Sequence, residues 1–287
     1  MLTNLFRLDG TPDILAAGKM PPMSPGETVS NIVFPSGPWK PPTGKVKNVN
    51  FRNVSFSKTS ISQVTFTECK FEDCLFIGTQ FEDVEFHGCD ITNCTLWKIR
   101  LSRVYLRPQK IKFSDRYRVE AANVGLSLYQ AMLSNFTEQH QDIFFMEADI
   151  LFRKWKRYQI KHDLRQENST KREAYWAWIC SWTHEKITGF GYRPTRFFIW
   201  TLFLFFAVSG MNYVLIGDAI QVNGATAGVH ISFVDAVFYT FSVLTVLGFS
   251  SVSPVSDCAK ILSVLEALAS IGWLGIFTAV LVKRFLR

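Results

Sequence analysis

The chain has 287 residues, of which 48% are apolar and 19% charged, with 26 Phe and 8 Trp. This composition excludes a disordered or collagen-like chain, because there is ample apolar surface to bury. Six Cys in a chain of this length do not make a disulfide scaffold. The 31 Lys and Arg against 24 Asp and Glu give a formal charge of +7, which points to nucleic acid or to lipid head groups as anionic partners.

Residues 1–45 hold eight of the eleven prolines, including two in PPMSP and two in WKPP. Such a composition favours an extended arm with little structure of its own. The arm is expected either to pack on the next domain through Phe34 and Trp39 or to remain a mobile tail.

Residues 46–108 follow a period of five. A large apolar residue recurs at every fifth position from Phe51 to Leu106, and a small or β-branched residue stands two positions before each, from Val49 to Val104. A helix or a flat strand cannot bury both series, whereas a square coil with five residues per side can. Twelve sides predict about three coils, stacked at roughly the 5 Å spacing of β-strands. The segment resembles the pentapeptide-repeat family, which implies a right-handed β-helix.

Four of the six cysteines, Cys69, Cys74, Cys89 and Cys94, fall on the small inward series. Their spacing of five matches no usual zinc pattern, so buried thiols are predicted in preference to a metal site. The eight Lys and Arg of residues 46–107 nearly balance the seven Asp and Glu. This near balance argues against imitation of DNA, and the domain is interpreted as a docking or sensing head.

Residues 109–172 change to helical spacing and predict a linker of two antiparallel helices joined near residues 137–141. The second helix carries a cationic run from Arg153 to Lys161, which predicts a solvated face or an attraction to anionic lipid. Residues 173–196 bring together Trp176, Trp178 and Trp182, which predicts a helix at the membrane surface. A turn at residues 189–191 and a helix opening at Pro194 are expected to follow.

Two apolar segments, 197–216 and 260–283, are long enough to cross a bilayer. Residues 153–196 contain eleven Lys and Arg, whereas residues 197–259 contain none. By the positive-inside rule, this asymmetry predicts a protein of the cell membrane with two transmembrane helices and both termini in the cytoplasm. The positive charge is then a topology signal, and a nucleic-acid partner is not expected.

Between the spans, residues 233–244 predict a helix too short to cross the bilayer, capped by Ser232 and Asp235 and containing Tyr239. A span, a half-length helix, a loop and a second span form the plan of a pore-loop channel within residues 197–287. The segment DAVFYTFSVLTVLGFSSVSP resembles the pore signature of the potassium-channel superfamily. With the repeats, it resembles a bacterial family of pentapeptide-repeat ion channels.

The resemblance implies a homotetramer with a selectivity filter at residues 245–250, in which backbone carbonyls coordinate a permeant monovalent cation, K+ or Na+. The filter residues are Thr245, Val246, Leu247, Gly248, Phe249 and Ser250. Val246 stands where the family has a second Thr, Ser250 where it has a second Gly, and Ser251 where it has Asp. Because Gly takes left-handed dihedrals without steric cost, Ser250 is expected to weaken the outer carbonyl ring and with it strict potassium selectivity.

Further residues of the pore domain have predicted roles. Ser251 and Asp257 are expected at the pore mouth, where acidic residues concentrate cations. Ser270, Gly272 and Gly275 are candidates for a gating hinge, with close helix packing as the alternative. Glu266, inside the second span, is expected to pair within the protein or to face water.

Three classes of function were weighed. The first is a homotetrameric cation channel in contact with membrane lipids, regulated by a cytosolic ligand or protein that binds the repeat domain; its variant is a weakly selective, depolarising pore. The second is a membrane-anchored scaffold with a non-conducting pore domain. An enzyme is disfavoured, because the five His are scattered and no catalytic motif is present. No resident cofactor or metal is expected.

Overall fold

The computed structural model describes residues 4–16, 19–165, 170–216, 220–222, 232–245, 252–254 and 256–285. The chain divides into two compact units, residues 1–181 and 182–287. The described helices are α1 (Asp115–Glu120), α2 (Ala122–Glu138), α3 (Asp142–Arg165), α4 (Lys171–Thr188), α5 (Pro194–Ile216), α6 (Phe233–Leu244) and α7 (Asp257–Phe285). The described strands are β1 (Asp13–Ile14), β2 (Thr28–Ser30), β3 (Ile32–Val33), β4 (Gly37–Trp39), β5 (Lys45–Lys47), β6 (Asn50–Arg52), β7 (Thr59–Thr67), β8 (Lys70–Glu72), β9 (Gln80–His87), β10 (Asp90–Thr92), β11 (Arg100–Ser102), β12 (Ile111–Lys112), β13 (Ile220–Val222) and β14 (Val252–Pro254).

The first unit begins with a β-solenoid of about five turns, which confirms the predicted coil. Its strands form parallel stacks, one in the order β12-β10-β8-β6-β2 and another in the order β11-β9-β7-β4. Phe51 pairs with Phe71 and Ile61 with Phe81, so each turn takes 20 residues, as four sides of five require. The rings of Phe51 and Phe71 stack at 5.0 Å between centroids. Both predicted series lie inside, since each phenylalanine of these pairs is buried and so are Val49, Cys69 and Cys89 between them.

Each side of the coil ends at a residue with left-handed backbone. The φ angles lie between +52° and +66° at every fifth position from Asn48 to Arg103. Only Gly78 and Gly88 are glycine in this series, while five of the other positions hold Asn or Asp, whose short polar side chains tolerate this conformation. The period of five is therefore carried by the backbone corner as well as by the two inward series.

The prediction of an arm with little structure is wrong for residues 28–47. Strand β2 pairs with β6, and β4 and β5 pair with β7, so this segment adds turns to the front of the solenoid. Val29, Phe34 and Trp39 are buried, and the ring of Phe34 stacks on Phe56 at 4.7 Å. The coil is accordingly longer than the predicted three turns.

Helices α2 and α3 form the predicted antiparallel pair, and the unpredicted short helix α1 precedes them. The end of the coil meets α2 at Asn135, whose side chain accepts from the Val104 N–H at 2.9 Å and donates to the Val104 carbonyl at 2.8 Å. Trp155 of α3 lies over Gly125 of α2, where a Cβ would come within 2.2 Å of the indole. The absence of a side chain at Gly125 thus permits close packing of the two helices.

The second unit contains α5, α6 and α7. Helices α5 and α7 are both long and apolar enough to cross a membrane, over residues 194–214 and 257–283. Only 17% and 11% of their most apolar windows are buried within the chain. This exposure disfavours the alternative of two core helices of a soluble protein, because such helices bury most of their apolar surface.

Candidate functional site

Helix α6 begins and ends where the sequence predicts. Its start is a capping box: the Ser232 hydroxyl accepts from the Asp235 N–H at 3.2 Å, and the Asp235 carboxylate accepts from the Ser232 N–H at 3.1 Å. Twelve residues at 1.5 Å each give about 18 Å, well short of the roughly 30 Å of a hydrocarbon core. Asp235 is therefore a helix cap, as one of its predicted roles required.

The carboxyl end of α6 leads into the predicted filter. Thr245 caps the helix with right-handed backbone, and its hydroxyl donates to the Phe241 carbonyl at 2.7 Å. Val246, Leu247, Gly248, Phe249, Ser250 and Ser251 lie outside the described residues. Beyond them, β14 pairs antiparallel with β13, so that Pro254 lies opposite Ile220. The filter and the mouth position at Ser251 stay predictions.

One face of α6 is held by polar contacts to both long helices. Asn212 of α5 donates its amide N–H groups to the Thr240 hydroxyl at 3.0 Å and to the Glu266 carboxyl at 3.2 Å. All three residues are buried. Tyr239 and Ser263 share a further hydroxyl–hydroxyl bond between α6 and α7. Glu266 thus pairs within the protein, which is one of the two outcomes expected for it.

The opposite face of α6 is apolar and uncovered within one chain. Phe238 and Phe241 keep 49% and 50% of their surface exposed, and Val234 keeps 73%. A pore helix with aromatic side chains on an open face needs a further covering surface, whether lipid or protein.

The predicted mouth and hinge residues lie on α7. Asp257 is exposed, and its nearest charged partner is Lys260, at 3.2 Å one turn later. Ser270, Gly272 and Gly275 lie within the continuous helix, with the Ser270 hydroxyl bonded to the Ala267 carbonyl at 2.8 Å. A Cβ added at Gly272 or Gly275 would meet nothing within 4 Å, so the close packing considered for them is not made inside this chain.

The turn between α4 and α5 contacts the last turn of α7. Gly189, Phe190 and Gly191 all have positive φ, and Pro194 opens α5 as predicted. The Lys283 ammonium donates to the Phe190 carbonyl at 2.8 Å and lies 4.0 Å from the centroid of the Tyr192 ring. A Cβ at Gly191 would come within 2.9 Å of the Lys283 side chain, so the turn approaches the helix closely.

Aromatic and basic side chains lie together near and along α4. Tyr175, Trp176 and Trp182 are exposed. The Lys161 ammonium lies 5.2 Å from the Trp178 ring, and the Lys186 ammonium 5.9 Å from the Trp182 ring. Amphipathic rings beside cations are typical of membrane interfaces, so the predicted placement of this helix at the lipid surface stays a prediction with supporting chemistry.

Sequence reasoning missed the roles of Asn212, Thr240 and Lys283. Asn212 is a large amide inside a span of twenty uncharged residues, and its polarity is a signal that a partner exists. Which residues it contacts depends on how the helices are rotated, and no spacing in the sequence supplies that.

Comparison with known proteins adds two matches. Residues 195–287 match the family model described as ion channel, and residues 47–95 match that of pentapeptide repeats, in nine copies. No curated protein matches the chain. The first match contains α5, α6 and α7, and the second lies within the solenoid. The resemblance drawn from the sequence is thereby confirmed: the chain has the make-up of a pentapeptide-repeat ion channel with a two-transmembrane-helix pore domain.

Proposed function

We propose that four copies of this chain form a cation channel with a potassium-channel-like pore and a TVLGFS filter at residues 245–250. The observation that carries the proposal is α6, a capped helix of half-membrane length held between two apolar helices by Asn212, Thr240 and Glu266. A short helix aims its carbonyl end at a central cavity and favours cations there. One chain supplies only a quarter of such a pore.

The exposed face of α6 supports an assembly of several chains. Phe238 and Phe241 would be covered by the neighbouring subunit when four pore helices gather around one axis. Lys and Arg concentrate before α5 and again at Lys283 and Arg284, so both termini and the solenoid are assigned to the cytoplasm of a cell-membrane protein. The solenoid regulates the pore by binding a cytosolic ligand or protein.

The filter sequence argues for a permeant K+ or Na+ ion with modest discrimination between them. Thr245 to Gly248 supply the inner carbonyl rings, while Ser250 in place of glycine strains the outer one. A weakly selective, depolarising pore is therefore the favoured variant. The same substitution is the one observation that favours a second candidate, a membrane-anchored scaffold with a closed pore domain.

Ion flux from the purified tetramer in liposomes tests the proposal, and a bi-ionic reversal potential then ranks K+ against Na+. Gly248→Asp is expected to abolish or transform the current, because it puts a carboxylate into the carbonyl rings. Phe249 and Ser250 variants are expected to change the ion preference. A confirmed tetramer without flux under any condition contradicts the channel and favours the scaffold.

A further inference from the structure

Three polar side chains meet at one point behind the pore helix, and each comes from a different helix. Asn212 lies on α5, Thr240 on α6 and Glu266 on α7. Asn212 and Thr240 are fully buried and Glu266 is 7% exposed. None of the three belongs to the predicted filter, and Thr240 precedes its first residue by five positions.

Polar groups in an apolar setting are costly unless they have partners, so such a cluster fixes the geometry of the elements that carry it. The two N–H groups of Asn212 are directed to two different helices at once. Thr240 also donates to the Ala236 carbonyl at 2.7 Å, which locks its hydroxyl so that it accepts from Asn212. This network specifies both the depth and the rotation of α6 relative to α5 and α7.

We infer that Asn212 and Glu266 are positioning residues for ion selectivity, acting through Thr240 and the pore helix without touching the ion. The inference rests on the proposed channel function. The carbonyl rings of a filter discriminate ions through the number and field of the oxygens that reach the axis. A helix that leads directly into the filter carries its displacement into those rings, so the supporting contacts are part of the selectivity.

The structure offers a matched control. The Trp273 indole N–H donates to the Thr201 hydroxyl at 2.8 Å, which joins α7 to α5 without involving α6. Thr201→Val removes that bond between the same two long helices. A role in general helix packing predicts equal effects from Thr201 and from the Glu266 cluster, whereas a role in positioning α6 predicts an effect from the cluster alone.

The experiment measures the bi-ionic reversal potential of K+ against Na+ for purified full-length tetramers in lipid bilayers. Glu266→Leu and Thr240→Val are expected to change the permeability ratio by about threefold or more, the factor that corresponds to one average inter-helix hydrogen bond in a membrane. Glu266→Gln keeps an oxygen acceptor for Asn212 and is expected to retain the wild-type ratio. Thr201→Val is expected to retain it as well.

Wild-type ratios in both Glu266→Leu and Thr240→Val overturn the inference, and so does an equal change in Thr201→Val. Should Glu266→Leu fail to assemble, Thr240→Val decides alone, since valine has nearly the shape of threonine. A wild-type tetramer without flux overturns the proposed function itself, and this inference with it. A conducting wild type with unaltered variants overturns the inference only.

Discussion

The Lys283 ammonium donates a hydrogen bond of 2.8 Å to the Phe190 carbonyl, and so the last turn of α7 is tied to the turn that precedes α5. The same ammonium lies 4.0 Å from the Tyr192 ring centroid, within the range of a cation–π contact. Lys283→Met retains most of the aliphatic stem and loses both interactions. It is expected to lower the stability of the pore domain by about 1–2 kcal/mol, measured as thermal unfolding of the purified tetramer.

Tyr192 provides the controls for this contact. Tyr192→Phe keeps an aromatic ring and is expected to behave as wild type, whereas Tyr192→Leu is expected to lose about 1 kcal/mol. Since the two side chains interact, Lys283→Met and Tyr192→Leu combined should cost less than the separate losses added together. Full additivity would show that the contact contributes nothing.

The four thiols of the solenoid should resist alkylation in the native protein. Cys69, Cys74, Cys89 and Cys94 are buried, and burial raises the pKa of the Cys94 thiol well above its ordinary value. A thiol without access and without its thiolate form reacts slowly. Mass spectrometry after brief treatment with iodoacetamide in detergent is expected to find these four unmodified.

Cys180 and Cys258 are exposed in the chain and serve as the internal comparison. They are the thiols expected to react first, and all six should react after denaturation. Modification of Cys74 or Cys94 at the rate of Cys180 would contradict the buried assignment.

The corners of the coil predict the sign of two glycine substitutions. Gly78 has a φ of +66°, and a Cβ there would meet nothing within 4 Å, so Gly78→Ala tests backbone strain alone. It is expected to destabilise the solenoid by about 1 kcal/mol. Lys58 occupies the same corner one turn earlier with a φ of +59°, and Lys58→Gly should be neutral or stabilising. Urea unfolding followed by circular dichroism measures both; a destabilising Lys58→Gly would contradict the argument.

Tyr117 predicts a loss of stability in alkaline solution. Its hydroxyl donates to the Asn93 carbonyl at 2.9 Å, and burial raises its pKa from 10 to about 12. Between these values the unfolded chain has released the proton while the folded chain retains it. Stability is therefore fully present below pH 10 and falls as the pH rises towards 12.

Tyr117→Phe separates this effect from other alkaline changes. The variant loses the hydroxyl contacts to Asn93 and Thr95 and is expected to be less stable near neutral pH by about 1 kcal/mol. The gap between the two proteins should narrow as the pH rises above 10, as measured by thermal unfolding in detergent. A gap that is constant with pH would contradict the assignment.

The parts predicted well from sequence are those whose signal is local. The coil follows from a strict period of five, and the start of α6 from the capping pair Ser232 and Asp235. The first turns were missed because the period changes phase: Trp39 pairs with Ile61, 22 residues on, whereas Val46 pairs with Phe66, 20 residues on. Val29, Phe34 and Trp39 keep the spacing of five but stand in the other series.

The partners of Asn212 could not be predicted in the same way. A buried amide requires hydrogen bonds, but the choice of Thr240 and Glu266 depends on three helices meeting at given rotations. Lys283 presents the same difficulty, since 93 residues separate it from Phe190. Such contacts follow from packing, on which the sequence pattern places only weak limits.

The constant offset between successive layers has an evolutionary consequence. A duplicated or deleted block of one full circuit leaves every neighbour of the remaining blocks in place, because Phe71 presents to the layer above what Phe51 presents to it. An insertion of any other length would turn charged side chains inward until the next matching phase. The reach of the cytosolic head can therefore change during descent only in quanta of about 5 Å, one β-strand spacing at a time.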